Sequence, residues 1–148
     1  MKNAYYSLPI KCEILTKKNS EVEHPLCNFD ESIAKNIFLL ITSRYGEHRY
    51  SQTFGCEIWS SDFQLIGNIN VWKEKIRKSI ELVIQNHEKR LKNLNVSLDL
   101  SEEEIKSPIT NLISVKKRLL IKVKGKAIST GEDFSFETKF FISPLSLD

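Results

Sequence analysis

Two carboxylates raise the first question of chemistry. Glu47 and Glu57 lie in one glycine-punctuated stretch between Tyr45 and Asn70. Two carboxyl groups facing each other across a cleft are what acid–base cleavage of a glycosidic bond requires. The signal is weak, because 148 residues with 19 acidic side chains offer many such pairs. Other signatures are missing: no Gly-x-Ser-x-Gly elbow exposes a serine nucleophile, and neither a P-loop nor a dinucleotide fingerprint is present. His24, His48 and His87 share no metal-ligand spacing, and Cys12, Cys27 and Cys56 form no Cys-x-x-Cys pair. No metal or other cofactor is implied. The thiols read as reduced and mostly structural. His87 falls on an apolar helix stripe, where a hydrogen-bonded core or interface histidine is the ordinary outcome.

Lys116, Lys117, Arg118, Lys122, Lys124 and Lys126 run without an intervening acid. A strand so charged can track phosphates. Yet Lys122, Lys124 and Lys126 alternate as on a solvated sheet face, edge lysines deter stray strand pairing, and no aromatic platform interleaves with them. No nucleic-acid partner is expected. Two other clusters are less ordinary. Arg44-Tyr45-Gly46-Glu47-His48-Arg49, with Phe54-Gly55 shortly after, places glycines where the backbone needs positive φ or a close approach, and sets Glu47 to pair with Arg49 across a turn. Glu88-Lys89-Arg90-Leu91 stands where a long helix hands over to a strand, and charges at a helix end can cap and orient it. From the residues alone, local ion pairing accounts for both clusters slightly better than partner binding does.

The elements that must position these groups follow from periodicity. Tyr6, Leu8, Ile10, Cys12 and Ile14 alternate like a strand, which Pro9 confines to an edge. Thr16 to Pro25 reads as a polar loop. Asp30 is placed to cap a helix through Ile33, Ile37, Leu40 and Ile41 to about Ser43, with Phe38 and Leu39 widening its apolar stripe. The connection from Tyr45 to Asn70 carries Phe54, Ile58, Trp59, Phe63, Leu65 and Ile66, so it is expected to pack against the domain. Trp72, Ile76, Ile80, Val83, Ile84, His87 and Leu91 share one side of a helix of about six turns. On that wheel Arg90 falls beside Trp72 and Glu88 beyond the opposite edge, which predicts two exposed charges serving different partners. Three strands follow. Leu94, Val96, Leu98 and Leu100 alternate in the first, and an acidic linker, Glu102-Glu103-Glu104, ends it before Pro108. Leu119, Ile121 and Val123 mark the second. Phe134, Phe136, Phe140 and Ile142 mark the third, stopped by Pro144. The fold class is α+β: an antiparallel β-meander covered on one face by helices, one of them long, amphipathic and preceding the strands.

Length fits one domain, with an extended or looped segment over residues 1–28 and a core over 29–142. Apolar and charged fractions of 41% and 28% are those of an ordinary globular protein, and a net charge of +3 singles out no partner. No apolar run reaches signal-peptide or membrane-spanning length, so membrane insertion is not expected and the expected compartment is the cytoplasm.

The two clusters, in this order and on this framework, resemble the small baseplate wedge subunit of contractile injection machines. That family includes the phage-tail protein called gene-25-like lysozyme and its type VI secretion system counterpart. Its pattern is a helix ending near a threonine and a basic residue, then Gly-Glu-Arg, Phe-Gly, a long helix ending in Glu-Pro-Arg, and strands. Here Ile41 to Arg49, Phe54-Gly55 and Glu88-Lys89-Arg90 occupy those places, and the match spans roughly Phe29 to Ile142. Lys89 replaces the family proline, and Ser51-Gln52-Thr53 stands where a proline often precedes Phe-Gly.

The resemblance implies a structural role without hydrolysis, despite the lysozyme label. Such a subunit joins other baseplate wedge proteins to the first ring of the contractile sheath, within a six-fold hetero-oligomeric assembly. Glu88 and Arg90 would contact the helical bundle of the wedge, with Gly46, Glu47, Arg49, Phe54 and Gly55 as further partner-binding positions. An exposed strand edge would accept sheath strands by main-chain pairing. A phage tail, a secretion system and another contractile injector all remain open. The alternative from another class is a peptidoglycan hydrolase using Glu47 and Glu57.

Overall fold

Asparagines start both helices of the described residues. In the computed structural model, which describes residues 4–12, 23–60, 67–109 and 111–142, helix α1 runs Phe29–Thr42. The Asn28 side chain accepts the N–H of Glu31 at 2.8 Å, and the Glu31 carboxylate accepts the N–H of Asn28 at 3.3 Å. This reciprocal box satisfies two donors that a helix start leaves free. The expected cap, Asp30, lies one turn too far in. A cap must be extended, and the residue with ψ of 175° is Asn28. Asp30 still places negative charge in the first turn, where the helix dipole favours it.

Helix α2 runs Ile69–His87, with the Asn68 side chain accepting from the N–H groups of Asn70 and Val71. Its 19 residues make about five turns, not six. Leu91, expected on its stripe, opens the strand that follows instead. It is nonetheless buried against the same core, so helical spacing alone did not distinguish the two.

The sheet is an antiparallel meander in the order β3-β4-β5, as expected. Strand β3 spans Leu91–Lys106, β4 Ile113–Ala127 and β5 Asp133–Ile142. Leu98 faces Ile121, Leu100 faces Leu119, and Val123 faces Phe136. Ile76, Ile80 and Ile84 of α2, Ile33, Ile37, Leu40 and Ile41 of α1, and Leu119, Ile121 and Val123 of β4 are fully excluded from water. Each such side chain contributes roughly 1.5–3 kcal/mol by burial. Phe38 and Leu39, expected to widen the core stripe of α1, are 46% and 44% exposed and line a surface groove.

Glu102-Glu103-Glu104 is not a linker. Strand β3 continues through it, and its register sets Glu102 opposite Lys117 and Glu103 opposite Lys116. Glu103 also reaches Arg118 at 3.3 Å. The acidic triplet and the basic run are the two sides of one hairpin, and opposite charges across strands favour the pairing.

The described part of the α1–α2 connection packs inward through Phe54, Cys56, Ile58 and Trp59. Cys56 and Ile58 are fully buried, and a 3-10 turn covers Glu57–Ser60. Trp59 donates its indole N–H to the Ile41 carbonyl at 2.7 Å. Burial pushes the Cys56 thiol up to about 11, which leaves it a protonated, unreactive core group.

Among the described residues near the N-terminus, the alternation yields a strand only at Tyr5–Tyr6 (β1), paired antiparallel with Leu26–Cys27 (β2). Ser7 donates its N–H to Pro25 at 2.9 Å, and Pro9 has no N–H to extend a ladder. Ile14, most of the polar loop from Thr16, the anchors Phe63, Leu65 and Ile66, and Pro144 lie outside the described residues.

Candidate functional site

The end of α2 is built by a carboxylate and not by proline or glycine. Glu88 caps the helix in an extended conformation, its N–H still bonded to the Ile84 carbonyl at 2.7 Å. Lys89, at the family's proline position, donates its ammonium to the Gln85 carbonyl at 2.9 Å and so covers one of the free acceptors of the last turn.

The Glu88 carboxylate then turns inward. One oxygen accepts the Arg90 backbone N–H at 3.1 Å and Nε at 2.7 Å. The other accepts Arg90 Nη2 at 2.6 Å and Asn36 Nδ2 at 2.8 Å. Arg90 Nη1 reaches Ser32 Oγ at 2.9 Å. The guanidinium lies between two aromatic faces, 5.5 Å from the Tyr5 ring and 5.7 Å from the Phe29 ring, in cation–π contact with both.

Sequence reasoning separated Glu88 and Arg90 onto opposite edges of a wheel, both exposed. The structure corrects this. The helix ends before either residue, they bond each other with fork geometry, and Glu88 is only 2% exposed against 30% for Arg90. Burial alone pushes the Glu88 carboxyl up. The hydrogen bonds from Arg90 and Asn36, with the guanidinium charge, outweigh it and hold the group below the ordinary carboxylate range. Hydrogen bonding to Glu88 raises Arg90 above the ordinary guanidinium value, so both stay charged near neutral pH.

The glycine cluster forms a separate knot. The Glu47 N–H donates to the Arg44 carbonyl and the Arg44 N–H donates to the Glu47 carboxylate, each at 3.1 Å, with Gly46 at φ +76° between them. Glu47 therefore clasps the backbone of Arg44, not the side chain of Arg49, which lies 5.9 Å from the Tyr50 ring. Gly55 is required by contact as well as conformation. Its φ is +103°, and a Cβ there would sit 2.6 Å from the Arg44 carbonyl oxygen. That close approach lets the Cys56 N–H reach the Ser43 carbonyl at 3.0 Å.

Phe54 joins the two clusters. Its ring packs on His48 at 5.0 Å and on His87 at 5.3 Å. His87 donates Nε2–H to the Thr53 carbonyl at 3.1 Å. One residue of α2 thus holds the glycine loop, and the next, Glu88, holds α1.

Glu47 and Glu57 do not converge. Glu47 borders a concavity with Leu39, Thr42, His48, Arg49 and Tyr50, whereas Glu57 lines a different cleft with Tyr45, Lys75 and Ser79 and pairs with Lys75 at 3.1 Å. Among the described residues no group of three or more His, Cys, Asp or Glu can hold a metal, and no helix is long and apolar enough to cross a membrane.

Sequence reasoning missed Ser32, Asn36, Tyr5 and Phe29. Ser32 and Asn36 carried a signal: two polar residues four apart on a largely apolar helix occupy one face and ask for polar partners. Tyr5 carried none, being brought to Arg90 by tertiary packing.

Three comparisons bear on this arrangement. A family model described as baseplate wedge protein gp25 matches residues 27–131. No curated protein matches the sequence. Among solved structures, a protein from Geobacter sulfurreducens described as a tail lysozyme is 22% identical with a TM-score of 0.56, over 84% of this chain and all of that one. A chain of the baseplate complex from the type VI secretion system is 13% identical with a TM-score of 0.50, over 76% of this chain and 93% of that one. At such identities the likeness shows the fold, while the family match spans most of the sequence together with both clusters: the chain belongs to the baseplate wedge protein gp25 family.

Proposed function

We propose that this chain is a non-enzymatic, cytoplasmic component of the baseplate of a contractile injection machine, joining the wedge proteins to the first ring of the contractile sheath. The observation that carries this reading is the Glu88–Arg90 cluster. It is a rigid charged site tied to α1, α2 and β3 at once, with one component, Arg90, still partly open to solvent. Nε and Nη2 of the guanidinium are engaged by Glu88 and Nη1 by Ser32, which fixes the orientation in which its outer edge meets a partner. Pre-organised charges of this kind give register and specificity at an interface. The Gly46, Glu47, Arg49, Phe54, Gly55 loop, held to the same helix end through His87, adds a shaped surface beside it.

Strand β5 supports the sheath side of the proposal. Among the described residues it pairs only with β4, so its outer row of N–H and C=O groups is available to an added strand. Placement of Glu47 and Glu57 in different concavities supports the non-enzymatic reading over hydrolysis by this pair.

The test is recovery of partners with tagged protein from its native lysate, identified by mass spectrometry. Wild type should bring down wedge and sheath proteins, and Arg90→Lys, which keeps the charge but not the fork, should lose the wedge proteins. Failure of wild type to recover any baseplate protein overturns the reading. Release of soluble fragments from purified peptidoglycan, lost on Glu47→Gln, would replace it with hydrolysis.

A further inference from the structure

The two rings that enclose Arg90 differ in how they are held. Phe29 belongs to α1, inside the family-matched residues 27–131. Tyr5 belongs to an N-terminal segment outside that match. The segment is fastened by the two-residue ladder Tyr5–Cys27 and Tyr6–Leu26, by Ser7 N–H to Pro25, by His24 Nε2 with the Ser7 carbonyl at 2.7 Å, and by the Lys35 ammonium on Ser7 Oγ. Its side chains are only partly sheltered: Tyr5 packs on the Phe29 ring at 5.8 Å, while Tyr6 is 73% and Ile10 58% exposed. Beyond Ser7 the same segment, through Leu8, Pro9 and Ile10, walls an apolar groove of about 680 Å³ against Phe38, Leu39 and Phe136.

We propose that residues Tyr5 to Ile10 are a displaceable cover over Arg90, lifted when a partner segment bearing a carboxylate and an apolar or aromatic side chain takes the place of Tyr5. This inference rests on the reading of Arg90 as a partner contact and adds its regulation. Lifting the cover bares one face of the guanidinium together with the Phe38–Leu39 side of the groove. The exposed surface then presents guanidinium N–H donors that Glu88 and Ser32 do not take, beside apolar side chains, and an accepting carboxylate with an apolar neighbour complements both. Segments held by few buried contacts open locally at a small fraction of the global unfolding free energy, whereas Phe29 moves only with α1.

Arginine-specific labelling of the isolated chain with phenylglyoxal, read residue by residue by mass spectrometry, tests the cover. Arg90 should label several-fold more slowly than Arg49, and Tyr5→Ala should bring its rate up without changing that of Arg49, while Tyr5→Phe, which keeps the ring, should leave it protected. Hydrogen exchange on the wild type supplies a test free of variants: the Ser7 amide should exchange far faster than that of Ile121 in β4. An unchanged Arg90 rate in folded Tyr5→Ala, or a Ser7 amide as slow as Ile121, overturns the proposal. Neither measurement needs a partner, so loss of the baseplate reading in the pull-down and loss of the cover are separate results.

Discussion

Asn36 Nδ2 lies 2.8 Å from the Glu88 carboxylate across 52 positions of sequence, and that contact decides what Glu88 is for within the fold. A carboxylate 2% exposed needs every acceptor site it can fill, and the amide from α1 supplies what Arg90 does not. The end of α2, the start of β3 and the middle of α1 are thereby fixed to one another by a single side chain. Any partner that uses Arg90 meets a group whose position the core has already set.

Stability should respond unequally to the two members of the pair. Arg90→Ala leaves the buried carboxylate with only Asn36 and one backbone N–H, and should cost about 3–5 kcal/mol. Glu88→Gln keeps the shape and leaves a guanidinium that can turn its free edge to water, so about 1–2 kcal/mol is expected. Urea unfolding followed by circular dichroism gives both values. Equal losses would mean that Glu88 is better hydrated than its burial indicates.

The same pair sets an acid limit. Because the folded Glu88 carboxyl lies below its ordinary value of 4.5, its contribution is present above that value and is lost as pH falls through the lower, folded one. The unfolding midpoint in urea should therefore decline below about pH 4.5. Glu88→Gln should start less stable and decline less steeply over that window. Parallel declines would assign the acid sensitivity to other carboxyls.

How much of this was legible in the sequence depends on the range of the interaction. Helix α2 and the alternation of β4 were readable because Trp72, Ile76 and Ile80, or Leu119, Ile121 and Val123, report local period directly. The acidic triplet was misread because a linker and one half of a charge-paired hairpin look alike until the opposite strand is known. Likewise the wheel placed Leu91 on the helix because burial in the same core imitates helical spacing. Gly46 and Gly55 were flagged correctly as backbone positions, yet the partner of Glu47 was not, since the clasp on the Arg44 N–H depends on the turn that Gly46 makes. The Asn36 and Tyr5 contacts are products of the tertiary fold, and no spacing encodes them.

Glycine substitutions should separate conformation from contact. Gly131 has φ of +73° with open space around it, so Gly131→Ala should cost only the left-handed strain, about 1–2 kcal/mol. Gly55→Ala adds overlap with the Arg44 carbonyl carbon and oxygen at 2.7 and 2.6 Å, both backbone atoms that cannot swing away. Its loss should exceed that of Gly131→Ala by about 1–3 kcal/mol, and the shift should register in thermal melts. A comparable loss at both sites would show that the Ser43–Cys56 contact loosens without consequence.

The lysine-rich strand gives the last prediction. Five of its six cations face an acid within the sheet: Arg118 meets Glu103 at 3.3 Å, Lys122 meets Glu137 at 3.3 Å and Lys126 meets Asp133 at 3.7 Å, Lys116 and Lys117 face Glu103 and Glu102 in register, and Lys124 faces Asn95 and Ser135. These are surface pairs, each stabilising by at most about 1 kcal/mol, but together they weaken the local field that a phosphate backbone would need. Fluorescence anisotropy with a labelled single-stranded oligonucleotide should show no binding by wild type at physiological salt. Replacing Glu103 and Glu137 by glutamine removes two countercharges from the face of the sheet opposite the core. That variant should gain weak affinity that falls steeply as salt is raised. Salt-sensitive binding by the wild type itself would mean that the cations are not neutralised in pairs, and would restore nucleic acid as a candidate partner.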